Sequence, residues 1–181
     1  MVLSKEDSDL FYELWMPLLQ FVNQKYQVVP ELADMVNGGP MDVSLIKLVV
    51  DRLWEERELI DEYLESNKEL SEEKREIVRG WKRAVKGTFF LERHLKSGSM
   101  LISVDDETVY QSVGIKSSWE ELLWIQDPPV VLDATLIPFK NVIIPDGIIM
   151  PKRIMFGGNM KKSLKDTYMR AKKQGLIRKT L

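Results

Sequence analysis

Residues 87–104 read Gly-Thr-Phe-Phe-Leu-Glu-Arg-His-Leu-Lys-Ser-Gly-Ser-Met-Leu-Ile-Ser-Val, and at Gly87 the chain changes its period. Before that point apolar residues recur every three or four positions; after it they alternate with polar ones. Thr88 to Leu95 reads as a strand, Lys96-Ser97-Gly98 as a turn, and Ser99 to Val104 as the return strand. Asp105-Asp106-Glu107 makes the next turn and Thr108 to Val113 a third strand, so the segment is a meander. Ser117 or Ser118 then caps a short helical turn, Trp119 to Leu123, which Asp127-Pro128-Pro129 breaks. Val130 to Ile137 and Val142 to Ile149 are β-branched runs, and Arg153 to Phe156 reads as a last short strand. Pro138, Pro145 and Pro151 argue against an uninterrupted central strand in this part. Several short, turn-punctuated strands in succession predict a small bent antiparallel sheet or barrel.

Working back from Gly87, the pattern is helical. Ser4 is placed to cap a first helix whose apolar stripe is Leu10, Phe11, Leu14, Trp15, Leu18, Leu19 and Val22, with a kink or a join expected at Pro17. Pro30 starts a short helix over 31–36, and Asn37-Gly38-Gly39-Pro40 is a loop. One long helix is expected from Asp42 to Ser66, and Ser71 caps another that runs to about Val85. Working forward, a helix over Met160 to Gln174 stops at Gly175. The expectation is an α+β fold. Residues 1–86 form a helical region of three to four helices; residues 87–181 form a small β-sheet or barrel with a basic C-terminal helix.

The 181 residues hold no cysteine and one histidine, His94. That excludes disulfides, thiolate zinc sites, iron–sulfur clusters and a Cys nucleophile, and it excludes a multi-histidine metal site within one chain. No metal and no cofactor is implied. The first nine residues are acidic where a secretory leader would be basic, and no long apolar run suggests a membrane span, so a cytoplasmic protein is expected.

The formal net charge of -2 hides an asymmetry. Residues 152–181 carry ten lysines and arginines against one acidic residue, Asp166, on an otherwise acidic chain. One reading is a solvated helix that rests its lysines on the acidic helical region. The other is a surface for nucleic acid or another polyanion. With Asn159 as N-cap, Lys161 and Lys162 would oppose the helix dipole, and an anion over Gly157, Gly158 and Asn159 would offset that. Of the aromatic residues only Tyr168 interleaves these lysines, so no base-stacking platform is expected.

Candidate chemistry is sparse. Strict alternation puts Glu92 and His94 on one strand face, where they could act as an acid–base pair. Arg93 then points to the opposite, apolar face, where it would sit at a barrel mouth or pair with a buried carboxylate such as Asp133. Asp105-Asp106-Glu107 lacks the spacing of a calcium loop. Lys162-Ser163 lacks the spaced glycines of a phosphate loop. Trp15 and Trp81 fall on buried stripes, whereas Trp54 falls off its stripe and suggests an interface, such as a homodimer or partner contact.

Ile137-Pro138-Phe139, Asp146-Gly147 and Ile154-Met155-Phe156-Gly157-Gly158, followed by a helix with Leu164, Tyr168, Ala171 and Lys172, form a pattern. It is similar to the C-terminal half of a family of bacterial cytoplasmic proteins that carries no assigned activity, and the resemblance implies no catalytic residue. The functional expectation is a non-enzymatic binding or regulatory module whose basic helix contacts a protein or a nucleic acid. An enzyme acting on a small anionic substrate, and a structural subunit of a homo-oligomer, are the alternatives.

Overall fold

The computed structural model describes residues 1–29, 43–124 and 127–181, and the short helix and loop expected over 31–40 lie outside them. Helices and strands are both well represented, as an α+β fold requires, and the chain divides into two units.

The helical unit spans Glu6–Lys82. Helix α1 (Lys5–Tyr26) runs unbroken through Pro17 and buries Phe11, Leu14, Trp15, Leu18, Leu19 and Val22. The long helix expected over 42–66 is two helices, α2 (Val43–Glu55) and α3 (Leu59–Ser66). No glycine or proline marks the break at residues 56–58; tertiary bonds hold it. The Arg57 guanidinium donates to the Lys82 carbonyl at 2.9 Å, and the Glu56 carboxylate accepts from Tyr26 and Arg52. Helix α4 (Glu72–Gly80) is capped by Ser71, as expected, but ends in a 3-10 turn over Trp81–Arg83. Trp81 meets Phe11 and Trp15 edge-on, and Trp15 stacks on Trp54 with centroids 5.8 Å apart. Trp54 is therefore a core residue and does not mark an interface.

The sheet unit comprises Met1–Lys5 and Arg83–Leu181. Its strands are β1 (Val85–Leu95), β2 (Gly98–Ser103), β3 (Val109–Ser112), β4 (Val130–Phe139) and β5 (Val142–Lys152). They follow the closed order β1-β2-β3-β5-β4, because β1 pairs antiparallel with both β2 and β4. β4 and β5 form a long hairpin, and β3 touches β5 in parallel at the single pair Ser112↔Ile143. The expected strand over 153–156 is absent, and β5 runs on through Pro145 and Pro151 instead. Prolines are tolerated there because the second edge of β5 is almost unpaired, so few ladder donors are needed. The one-turn helix α5 (Trp119–Leu122) lies between β3 and β4 in the chain and carries a full capping box from Ser118 and Glu121.

Side-chain alternation divides the sheet's apolar residues between two cores. Phe89, Leu91, Leu101, Tyr110, Val130, Leu132, Ala134, Leu136 and Ile143 point inward, where Trp119 and Leu123 join them. Met100, Ile102 and Val109 point outward with Phe90 and are covered by helix α6 (Gly158–Gln174) through Leu164, Tyr168 and Ala171. All six residues of β2 are buried as a result. After α6 the chain lies along β3: the Gln111 N–H donates to the Arg178 carbonyl and the Arg178 N–H to the Val109 carbonyl, both at 2.8 Å.

The N-terminal residues are held at Gly114, whose N–H donates to the Met1 carbonyl and whose carbonyl accepts from Leu3 N–H, both at 3.0 Å. A Cβ on Gly114 would fall 1.9 Å from the Ser117 carbonyl oxygen, a backbone atom that cannot rotate away. Gly114→Ala is expected to lower stability by about 3 kcal/mol, read as a reduced midpoint with an unchanged slope in urea unfolding.

Candidate functional site

Helix α6 carries several lysines that make no ion pair among the described residues. Its apolar stripe is Leu164, Tyr168 and Ala171, spaced i, i+4, i+7, and it is pressed onto β2 and β3. Once that stripe is buried, the 100° advance per residue fixes every other position. Lys161, Lys165 and Lys172 share one flank, and Lys162 and Lys173 face directly away from the sheet. All five are exposed. Among the described residues Lys161, Lys162, Lys165 and Lys173 make no ion pair, and Lys172 approaches only the Tyr168 ring, at 6.0 Å.

The opposite flank is different. Arg170 donates to Glu107 at 2.8 Å, and Asp166 lies on the same side. A shallow groove of about 390 Å³ runs here, lined by Glu107, Asn159, Lys162, Ser163, Asp166, Thr167 and Arg170. Its two carboxylates make it a poor seat for an anion. The cationic character of α6 is thus concentrated on the flank of Lys161, Lys165 and Lys172.

The helix begins earlier than an Asn159 cap implies. Gly157 is the N-cap, without a side-chain cap bond, and Gly158 is the first helical residue. The Gly157 carbonyl accepts from the N–H groups of Met160 and Lys161 at 3.1 and 3.2 Å. Lys161 and Lys162 therefore stand beyond the first three amides, where the dipole conflict is weaker. Gly157, Gly158 and Asn159 are all exposed.

Glu92 and His94 are kept apart by a β-bulge. The β1–β2 register slips between Leu91 and Arg93, which leaves Glu92 as the extra residue and turns it toward its neighbour. Arg93 Nη2 donates to Glu92 Oε1 at 2.8 Å, with a second bond from Nε to Oε2, so the pair is bidentate. The Glu92 side chain is only 8% exposed, and Arg93 lies over the Tyr168 ring at 4.3 Å. This cluster locks α6 to β1. Asp133 is not the partner of Arg93. It accepts from Thr88 Oγ1 at 2.6 Å and pairs with Lys152 at 2.7 Å.

His94 is half-buried, and its Nδ1 lies 2.8 Å from Ser99 Oγ. Burial pushes its pKa below the ordinary 6.5, against an opposing pull from Glu120. With Glu92 held by Arg93, the hydrogen-bond partner of His94 among the described residues is the Ser99 hydroxyl, and the Glu120 carboxylate acts on it only through its field. Among the described residues no group of three or more His, Asp or Glu side chains could hold a metal ion, and no helix is long and apolar enough to cross a membrane. No protein-family model, no curated protein and no solved structure matches the chain.

The sequence alone did not reveal the Glu92–Arg93–Tyr168 cluster, because no glycine marks the bulge. A falling pH protonates His94 more readily in the unfolded chain than in the folded one, so stability should fall as the pH drops below about 6.5 and recover above it. Urea midpoints at about pH 5.5 and 7.5 check this: His94→Gln should narrow the difference between them.

Proposed function

We propose that this protein is a non-enzymatic binding module that holds a nucleic acid by its phosphates through the outer face of α6. The observation that carries this reading is that Lys161, Lys162, Lys165 and Lys173 make no ion pair among the described residues. Apposed to a polyanion, such side chains would release its condensed counterions. The flank is built of lysines with no exposed aromatic among them, which suits contacts to backbone phosphate and not base readout.

The sheet adds support by analogy. A closed order β1-β2-β3-β5-β4, with a helix between β3 and β4, is the connectivity of the OB fold, whose β2–β3 face binds oligonucleotides or oligosaccharides. Fold alone does not assign function, and here α6 covers that face. Under this reading the helix that closes the usual surface supplies the replacement.

Fluorescence anisotropy of a labelled duplex across a salt series tests the proposal. Affinity should fall steeply with salt, and the magnitude of the log–log slope should drop by about one for each of Lys161→Gln, Lys165→Gln and Lys172→Gln. Absence of binding at about 20 mM salt, where the electrostatic contribution is strongest, would sink the reading.

A further inference from the structure

Between β5 and α6 lies a segment that the lysines do not explain. Residues 153–157 belong to neither helix nor strand, and at their centre Met155 is 99% exposed and Ile154 52%. Large apolar side chains bared together on a short loop mark a contact surface. The loop is anchored at both ends. Before it, Lys152 is held by Asp133, and the Ile154 N–H donates to the Lys152 carbonyl at 3.0 Å. After it, Phe156 packs edge-on against Phe90 with ring centroids 5.8 Å apart. The tip therefore projects from fixed shoulders, so little ordering cost remains to be met on binding.

The charge around the tip indicates the occupant. Arg153 directly precedes it, and Lys161 and Lys162 follow one turn into α6; all three are exposed and without an ion pair among the described residues. Apolar side chains set between cations suit a ligand with an anionic outside and an apolar interior. In residues 152–181 the aromatic rings are withdrawn, Phe156 onto Phe90 and Tyr168 beneath Arg93, so no stacking platform for a single strand is on offer. An unbranched, polarisable methionine beside an isoleucine is instead the kind of wedge that opens a base step in duplex DNA.

We propose that Ile154 and Met155 enter the base stack of duplex DNA from the minor groove while Arg153 and the α6 lysines hold the flanking phosphates. This rests on the polyanion reading above and adds the class of nucleic acid and the residues that touch its bases. Insertion would unstack one step and bend the duplex.

The test uses the full chain and the double variant Ile154→Ser/Met155→Ser. Both side chains are exposed, so thermal unfolding should match the parent. The expected result is duplex affinity about ten-fold weaker with an unchanged salt slope. A duplex carrying 2-aminopurine should brighten when the parent binds and not when the variant does. If the variant binds the duplex as tightly as the parent, the wedge is refuted while the phosphate reading stands. If the parent binds neither duplex nor single strand at low salt, both readings fall. Equal affinity for a single strand of the same length, with the same loss in the variant, refutes insertion into a base step. Vesicles containing phosphatidylserine form the last arm: parental binding to them but not to DNA, abolished in the variant, would overturn the proposal in favour of a lipid surface.

Discussion

The sheet carries apolar side chains on both of its faces, and that single constraint dictates the rest of its unit. Leu101 points into the closed interior while Met100 and Ile102, its neighbours, point out. Left bare, the outer residues would each forgo about 1.5–3 kcal/mol of burial. Here an amphipathic helix covers them, and α6 has one apolar stripe to offer. Burying Leu164, Tyr168 and Ala171 leaves the lysines no direction but outward. The cationic surface is thus a geometric by-product of core formation, on which a binding role could be built at little added cost in stability.

The bulge at Glu92 is the second organising element. Without it Arg93 would face the opposite side of β1 and could not reach Tyr168. With it, a buried carboxylate, a guanidinium and an aromatic ring form one chain of contacts from strand to helix. The pair is only partly buried, with the Arg93 side chain 31% exposed, so losing Arg93 would leave the more enclosed Glu92 carboxylate without its partner. The same slip carries Glu92 away from His94, which settles into a hydrogen bond with Ser99.

Much of the fold was legible in the sequence where the signal is local. The 87–104 hairpin, the Ser71 cap, a cap at Ser117 or Ser118 and the Gly175 stop of α6 all follow from spacing and residue type. What escaped depends on distant partners. The helix break at 56–58 is held by Tyr26 and Lys82, far away in the chain. The continuity of β5 through Pro145 and Pro151 depends on a nearly vacant edge that only the three-dimensional pairing reveals. Of the candidate site, the basic character of residues 152–181 was evident from composition. Which lysines stay free was not, because Glu107 claims Arg170 and Asp133 claims Lys152 from elsewhere in the chain.

The weakest join in the ring of strands is the seam where β3 meets β5 at a single residue pair. Along β3, backbone groups that this join leaves over are taken up by the stretch around Arg178, which lies there like a short extra strand. An open strand flank invites other chains to stack against it and seed fibrils. The segment after α6 covers that flank with its own backbone, so the β3 groups at Val109 and Gln111 are already spoken for within the chain, whatever ligand the helix holds.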